Sequence, residues 1–167
     1  MNRPNDGYRH CAVIMERQRV DNRWTSERWV PVRVDSEDPT ADRVFAAEPA
    51  DAEARTAAWR HPGFTIALYT DEAEGYYLNL TSPAPSVFVN WELTDSGGVP
   101  RSVTLSYNEA ARQMDGGAQV DPVPMPADWL PWVARFVDRH YVPPEKKTRI
   151  RPPSFDGARR DGGRNGR

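Results

Sequence analysis

The sequence predicts a mostly β (α+β) domain, a small antiparallel barrel or strongly bent sheet of about six or seven strands followed by a C-terminal helix. Two observations predict it. Apolar and polar residues alternate in four runs between Phe64 and Tyr107, and the period then becomes helical up to Tyr141. A two-layer α+β sandwich is the alternative. Strands followed by a closing helix are also the order of pleckstrin-homology-like domains, by fold analogy alone.

An N-terminal hairpin is the first predicted element. Residues 11–20 and the valines of residues 30–34 alternate like strands, with a turn signal at Asp21-Asn22 between them. Pro31 has no N–H for a ladder hydrogen bond, so the second strand is expected at a sheet edge or in a bulge.

The next segment, up to residue 60, is rich in Ala, Asp, Glu and Pro. Only residues 43–47 resemble a strand there, and residues 51–59 fit either a short helix or an irregular strand. Four clearer strands follow, at residues 64–68, 76–80, 87–93 and 103–107. Asp71 to Gly75 is then expected to be a hairpin loop, in which Gly75 can adopt a positive φ.

Two helices are expected near the C-terminus. Ser106 and Glu109 fit a capping box, and Gly116-Gly117 stops that helix. A stiff, extended linker with three prolines follows. Asp128 is then expected to cap a helix over about residues 128–141. Its apolar stripe predicts that it closes the sheet, and it consists of Trp129, Trp132, Val133, Phe136, Val137, His140 and Tyr141.

The domain organisation follows from composition and charge. We expect a disordered N-terminus at residues 1–9, a single β-rich domain at 10–145 and a basic disordered tail at 146–167. The tail has eight Lys and Arg residues against two Asp residues, a surplus of six positive charges. Since the whole chain carries −2, the residues before the tail carry −8. The tail is therefore either a solubilising terminus or an arm for an acidic partner.

Cysteine usage and hydropathy predict a cytoplasmic protein. A single cysteine excludes a disulfide framework, and no apolar run is long enough for a signal peptide or a membrane span.

No catalytic motif is found in the sequence. The histidines His10, His61 and His140 are far apart, without the short spacing typical of zinc ligands. Cys11 lies in an apolar alternating strand, which favours a buried thiol over a nucleophile. We therefore expect no catalytic residue, no metal and no cofactor.

Six tryptophans are many for this length. Three of them hold periodic core positions, whereas Trp24, Trp29 and Trp59 lie near turns or in the poorly periodic segment. Such aromatic side chains either cap the end of a barrel or form a contact patch, because aromatic anchors contribute much of the energy of protein interfaces. The expected protein-binding residues are Trp24, Trp29, Trp59, Arg23, Arg28 and, in the tail, Lys146, Lys147, Arg149 and Arg151.

Several phrases also resemble a family of small uncharacterised proteobacterial proteins, the domain of unknown function 3305. They are Met15-Glu16-Arg17, Asn22-Arg23-Trp24, Trp29-Val30-Pro31-Val32, residues 71–82, Gly116, Val123-Pro124-Met125-Pro126 and residues 136–141. Members of that family are typically encoded beside a molybdenum-dependent formate dehydrogenase, its iron–sulfur subunit and a chaperone-like protein. The resemblance implies an accessory role for that enzyme, with a dehydrogenase subunit or its chaperone as partner, and it assigns no catalytic residue.

Three functions are therefore weighed. The first is a non-enzymatic accessory protein that assists the assembly, maturation or operation of a formate dehydrogenase. The second is a nucleic-acid-binding or regulatory protein that uses the Arg/Gly tail, although a body at −8 argues against it. The third is an enzyme or cofactor carrier on the pathway to the molybdenum centre.

Overall fold

The computed structural model of the protein describes residues 7–37 and 56–146. Within these residues the chain forms six strands and three α-helices. The elements are β1 (Tyr8–Arg19), β2 (Glu27–Ser36), β3 (Thr56–Ala67), α1 (Ala73–Leu80), β4 (Ser86–Thr94), β5 (Gly97–Thr104), α2 (Tyr107–Asp115), β6 (Gln119–Pro124) and α3 (Leu130–His140). Short 3-10 turns at Thr70–Glu72 and Ala127–Trp129 precede α1 and α3.

The strands form two three-stranded antiparallel sheets. Sheet A has the order β2-β1-β3, and sheet B has the order β5-β4-β6. The prediction of a mostly β fold is confirmed, but the described strands do not close into a barrel, because each sheet ends in two edge strands. The analogy with pleckstrin-homology-like domains is likewise not confirmed.

Proline positions agree with this strand order. The two central strands, β1 and β4, contain no proline. Each of the four edge strands contains at least one, and these are Pro31, Pro62, Pro100, Pro122 and Pro124. An edge strand can turn a position without an N–H toward solvent, whereas a central strand needs its donors on both sides.

The predicted N-terminal hairpin is confirmed, and so is the irregularity at Pro31. Strand β2 is an edge strand, and its register against β1 shifts between Ile14 and Met15. Because Ile14 pairs with Arg33 and Met15 pairs with Pro31, Val32 is an extra residue on β2 at this bulge.

One hydrophobic core lies between the two sheets and the helices. Its members include Cys11, Val13 and Met15 of β1, and the odd-numbered residues of β4 from Val87 to Trp91. Trp129 of the preceding 3-10 turn and helix α3 together add the predicted stripe, which is buried from Trp129 to Val137 and half-buried at His140 and Tyr141. Helix α1 packs on α3 through an edge-to-face contact of the Tyr76 and Phe136 rings, whose centroids are 5.7 Å apart.

The largest correction concerns residues 71–80. The predicted hairpin loop and the strand after it are in fact the 3-10 turn and helix α1. The inner face of α1 contains Ala73, Tyr76 and Asn79, which are three residues apart, whereas Tyr77 and Leu78 are partly exposed. A spacing of three places these side chains on one face of a helix.

Two further expectations need correction, and one open alternative is decided in part. The predicted proline linker is strand β6, which pairs with β4. Asp128 makes no capping hydrogen bond, and α3 starts at Leu130 with Pro131 in its first turn. Of residues 51–59, for which a helix and a strand were both open, residues 56–59 belong to strand β3, and residues 51–55 lie outside the described residues. The possible strand at residues 43–47 lies outside the described residues.

The start of α2 is confirmed with a modified cap. The Ser106 hydroxyl accepts a hydrogen bond from the Glu109 backbone N–H at 3.1 Å, as a capping box requires. The Glu109 carboxylate does not return to the Ser106 backbone. Instead it accepts from the Thr104 hydroxyl at 2.6 Å, and the same hydroxyl accepts from the Ser106 N–H at 3.1 Å.

Candidate protein-binding groove

The candidate site extends the inner face of sheet A beyond the core. Along β1, the row of Cys11, Val13 and Met15 continues to Arg17. Trp29 on β2 is paired with Arg17, and Trp59 on β3 is paired with Met15, so both indoles project from this face. Their ring centroids are 4.8 Å apart, and the Arg17 guanidinium lies 5.5 Å from the Trp59 ring centroid.

The turn between β4 and β5 forms the other wall. Gly97 has a φ of +102°, and a Cβ built there would be 2.3 Å from Cζ2 of Trp29. Glycine is therefore required both by the backbone conformation and by the proximity of the indole. Between this turn and the end of sheet A lies a groove of about 520 Å³. We call it the tryptophan groove, and its lining includes Arg17, Glu27, Trp29, Trp59, Leu93 and Asp95.

The groove combines apolar and charged side chains. Leu93 at its rim is 68% exposed, although it continues the inward row of β4. The Arg17 guanidinium is 3.9 Å from the Glu27 carboxylate, which is a weak ion pair at that distance. An exposed leucine beside a half-buried tryptophan pair is apolar area available to a partner.

The structure brings only some of the predicted residues together. Trp29 and Trp59 line the groove, as a contact patch requires. Arg28 lies one position before Trp29 on β2 and therefore projects from the opposite face of sheet A. Arg23 and Trp24 are exposed in the loop between β1 and β2, and Trp24, at 84%, shares the highest exposure among the large apolar side chains described.

Of the predicted tail residues, the structure describes one. Lys146 is exposed at the end of the described chain. Lys147, Arg149 and Arg151 lie outside the described residues.

Sequence reasoning missed Arg17 and Leu93. Strand alternation could have predicted the sheet face of both side chains. Arg17 is the next odd residue after Met15, and Leu93 is the next odd residue after Trp91. Their association with Trp59 could not be read in the same way, since it depends on the pairing of β3 with β1.

Burial affects the described Cys11 thiol and His61 imidazole to different degrees. Cys11 is fully buried, and burial together with the nearby Glu37 carboxylate raises the pKa of its thiol to about 12. Burial lowers the pKa of His61, which favours a neutral imidazole. Among residues 7–37 and 56–146, no group of three or more His, Cys, Asp or Glu side chains is placed to hold a metal ion. None of the helices in these ranges has the length and apolarity needed to cross a bilayer.

Comparison with known proteins identifies one family. A search of curated proteins and a search of solved structures found no match to the chain. A family model described as "Protein of unknown function (DUF3305)" matches residues 10–151, which cover all of the described strands and helices except the first two residues of β1. The chain therefore belongs to the DUF3305 family of proteins of unknown function.

Proposed function

We propose that the chain is a non-enzymatic accessory protein that binds another protein through the β1–β2 hairpin and the tryptophan groove. The observation that carries this proposal is the placement of Trp29, Trp59 and the exposed Leu93 around an open groove. The exposed Trp24 directly precedes Thr25, which lines the same groove. Tryptophan and arginine are the side chains most enriched at the energetic centres of protein interfaces. Trp29, Trp59 and Arg17 lie together in this groove. The Cys11 thiol, by contrast, is buried inside the core.

We further propose that the partner is a formate dehydrogenase subunit or its chaperone. Support comes from the resemblance described in the sequence analysis, which implies that members of the family are encoded beside that enzyme. Charge offers a second source of support. The basic residues beyond Glu145 give the chain a positive arm that attracts an acidic surface over about a Debye length, roughly 10 Å at 0.1 M salt.

Affinity purification from formate-oxidising cells tests the partner. The full chain is expected to enrich a dehydrogenase subunit or its chaperone. Trp24→Ala is expected to reduce that enrichment about tenfold, because loss of an anchoring aromatic typically weakens an interface by one to two kcal/mol or more.

A matched control is Met114→Ala. Met114 is another exposed apolar side chain, on α2 and remote in sequence from the hairpin. The Met114→Ala variant should leave the enrichment of the partner unchanged. The partner proposal fails if neither a dehydrogenase subunit nor a chaperone is enriched by the unmodified chain, and the hairpin assignment fails if both variants behave alike.

The tail is tested separately by association kinetics. Replacing the eight basic residues beyond Glu145 with glutamine should slow association at low salt and matter little at high salt. An association rate that does not depend on these substitutions at any salt concentration would remove the tail from the proposal.

A further inference from the structure

The tryptophan groove has the chemistry of sites that bind proline-rich segments. Trp29 and Trp59 give it a continuous aromatic surface, with ring centroids 4.8 Å apart, and the exposed Leu93 adds an apolar rim. Aromatic-lined grooves bind extended segments that contain proline, because the proline rings pack on the aromatic faces and the polyproline II conformation forms before binding.

Two carboxylates line the same groove beside this apolar surface. Glu27 lies 3.9 Å from the Arg17 guanidinium. Asp95 is exposed in the turn between β4 and β5, and the ion pairs formed among residues 7–37 and 56–146 involve other carboxylates. An occupant that brings an arginine to Asp95 gains a charge-assisted hydrogen bond. The groove therefore favours a segment in which an arginine is next to prolines.

The chain itself contains such a segment, in its basic tail. The sequence Arg149-Ile150-Arg151-Pro152-Pro153 lies outside the described residues. Arg151 is the one arginine of the sequence that directly precedes two prolines. Proline fixes its own φ and disfavours the helical region for the residue before it, so these three residues favour the extended conformation that the groove would bind.

The distance between this segment and the groove indicates that they belong to different copies of the chain. Pro144 lines a cleft together with Thr70, which follows the end of β3. Trp59 is near the beginning of β3, and the eight positions from Trp59 to Ala67 span about 26 Å. Eight positions also separate Pro144 from Pro152, and they span at most about 29 Å when fully extended. A segment stretched to its full length cannot settle on the indoles of its own chain.

We propose that residues 149–153 of one copy bind in the tryptophan groove of a second copy, and that the two chains exchange these segments in a symmetric dimer. Pro152 and Pro153 pack on the indoles, and Arg151 lies against Asp95. The groove and the segment are different surfaces, so a single contact could continue as an open row of copies. Reciprocal exchange closes the assembly at two chains, and the second contact then forms at a raised effective concentration.

Self-association of this kind regulates access to the groove. The inference rests on the groove being a protein-binding site, as proposed above, but not on the identity of its partner. In the dimer the exchanged segment covers the surface offered to the partner. Dilution separates the copies and frees the groove and the basic tail together, so a partner competes with a second copy only where the chain is concentrated.

Sedimentation equilibrium of the full chain over a range of concentrations is the first test. A reversible monomer–dimer equilibrium is expected, with a dissociation constant below about 1 mM. The dimer should weaken as salt is added, because the contact includes opposite charges. A chain that stays monomeric up to about 1 mM overturns the proposal.

Two tail variants of equal charge separate a specific contact from general attraction. Arg149→Gln combined with Arg151→Gln should raise the dimer dissociation constant at least about tenfold, since the substitutions act at both contacts of the dimer. Arg159→Gln combined with Arg160→Gln removes two positive charges from the same tail outside the segment, and it should change that constant less than about twofold. Equal effects would mean that the tail is attracted to the acidic body without a defined site, which overturns the proposal.

The prolines test the shape of the segment at unchanged charge. Pro152→Ala combined with Pro153→Ala should raise the dimer dissociation constant at least about fivefold, because the extended conformation is no longer favoured before binding. Pro143→Ala combined with Pro144→Ala changes the other Pro-Pro pair of the chain and should leave the constant unchanged. An unchanged dimer in the first of these variants counts against the proposal.

Mixing two variants tests the groove itself. Asp95→Asn keeps the size of the side chain, removes the groove carboxylate and should weaken the dimer like the Arg149→Gln/Arg151→Gln variant. A mixture of these two variants should form a heterodimer more tightly than either forms a homodimer, because both changes then fall on one contact and the other contact is intact. Association in the mixture that is no tighter than in the separate variants overturns the exchange. If Asp95→Asn fails to fold, the tail variants still decide.

Failure of this inference is distinguishable from failure of the proposed function. A chain that stays monomeric but still enriches a dehydrogenase subunit or its chaperone removes the exchange alone. A dimer with the expected variant effects, found without enrichment of either protein, removes only the proposed partner.

Discussion

At the scale of single residues, Asn79 holds three elements together. Its amide NH₂ donates to the Ser86 carbonyl at 2.7 Å and to the Leu105 carbonyl at 2.8 Å, and its Oδ1 accepts from the Ser86 N–H at 2.9 Å. The side chain thus joins the end of α1 to the start of β4 and the end of β5. It is also buried, which makes it inaccessible to modification although Asn79-Leu80-Thr81 fits a glycosylation acceptor.

Asn79→Ala should lower the free energy of unfolding by about 2–4 kcal/mol, because buried backbone groups would lose their partners. Urea unfolding at equilibrium measures this. Asn108→Ala is the control and should cost less than about 0.5 kcal/mol, since the one hydrogen bond of the Asn108 side chain within the described residues is an exposed 3.4 Å bond to Glu74. Equal losses in the two variants would show that the three hydrogen bonds are not important for stability.

Gly75 is a second critical residue, and for a steric reason. It lies within α1 at the point where this helix meets the start of α2, and a Cβ built there would be 2.1 Å from the Ser106 hydroxyl oxygen and 3.2 Å from the Asn108 backbone nitrogen. Gly75→Ala should therefore destabilise the fold by about 1–3 kcal/mol despite the better helix propensity of alanine. Gly116→Ala meets only ordinary contacts at 3.4 Å and beyond, so it should be nearly neutral. Thermal unfolding of both variants checks this, and a stabilised Gly75→Ala would contradict the observed packing.

At the scale of elements, the helix α1 shows where sequence patterning is ambiguous. Tyr76, Leu78 and Leu80 alternate like a strand, but Tyr76 and Leu80 are also four residues apart, as on one face of a helix. A run this short fits both periods. Contacts with α3 and α2 decide between them, and those depend on residues distant in sequence.

Strand prolines gave more information than hydrophobic periodicity about which strands lie at the edges of the sheets. The edge position of β2 was predictable from Pro31 alone, and the same reasoning applied to residues 119–124 would have predicted an edge strand rather than a linker. The apolar stripe of α3 was also predictable, because its residues repeat at helical spacing over three turns.

The β4–β5 turn and the Trp29 indole depend on each other. Gly97→Ala would place a Cβ into the indole at a positive φ and should cost about 2 kcal/mol or more. Gly117→Ala is a matched control, because Gly117 also has a positive φ, +89°, but no atom lies within 4 Å of the added Cβ. The control should show backbone strain alone, about 1–2 kcal/mol. Urea unfolding followed by tryptophan fluorescence measures both, and equal costs would mean that the indole moves away freely.

At the scale of the whole molecule, the tryptophan groove could be predicted only in part. The sequence placed Trp24 near the turn of the hairpin but left its exposure open, and the structure shows that this side chain is exposed. The contact between Trp29 and Trp59 was not predictable, because these residues are 30 positions apart in the chain and meet only through two strands that flank β1. The remaining wall comes from the other sheet, so the groove exists only when the two sheets pack together.

The accessibility of the Cys11 thiol to a labelling reagent reports on the packing of the whole molecule. It is the only cysteine, it is fully buried in the central strand of sheet A, and it belongs to the common core. A thiol reagent at pH 8 should therefore label the folded chain only through global unfolding, and the labelling rate should rise with urea in proportion to the unfolded population. Complete labelling in high urea, at one thiol per chain, is the control. Rapid labelling without urea would show that sheet A opens locally.

Because of the same thiol, the free energy of unfolding should depend on pH in the alkaline range. Burial raises its pKa from 9.0 to about 12, so the folded chain retains a proton that the unfolded chain releases above pH 9. The stabilisation linked to this proton is complete below pH 9 and is lost as the pH rises toward 12. Urea unfolding at several pH values should therefore show declining stability above pH 9, with a smaller decline for Cys11→Ala. The alanine variant is compared by its slope with pH, since the smaller side chain also lowers stability at every pH. Parallel slopes would mean that the thiol ionises equally easily in both states, which is incompatible with its burial between the two sheets.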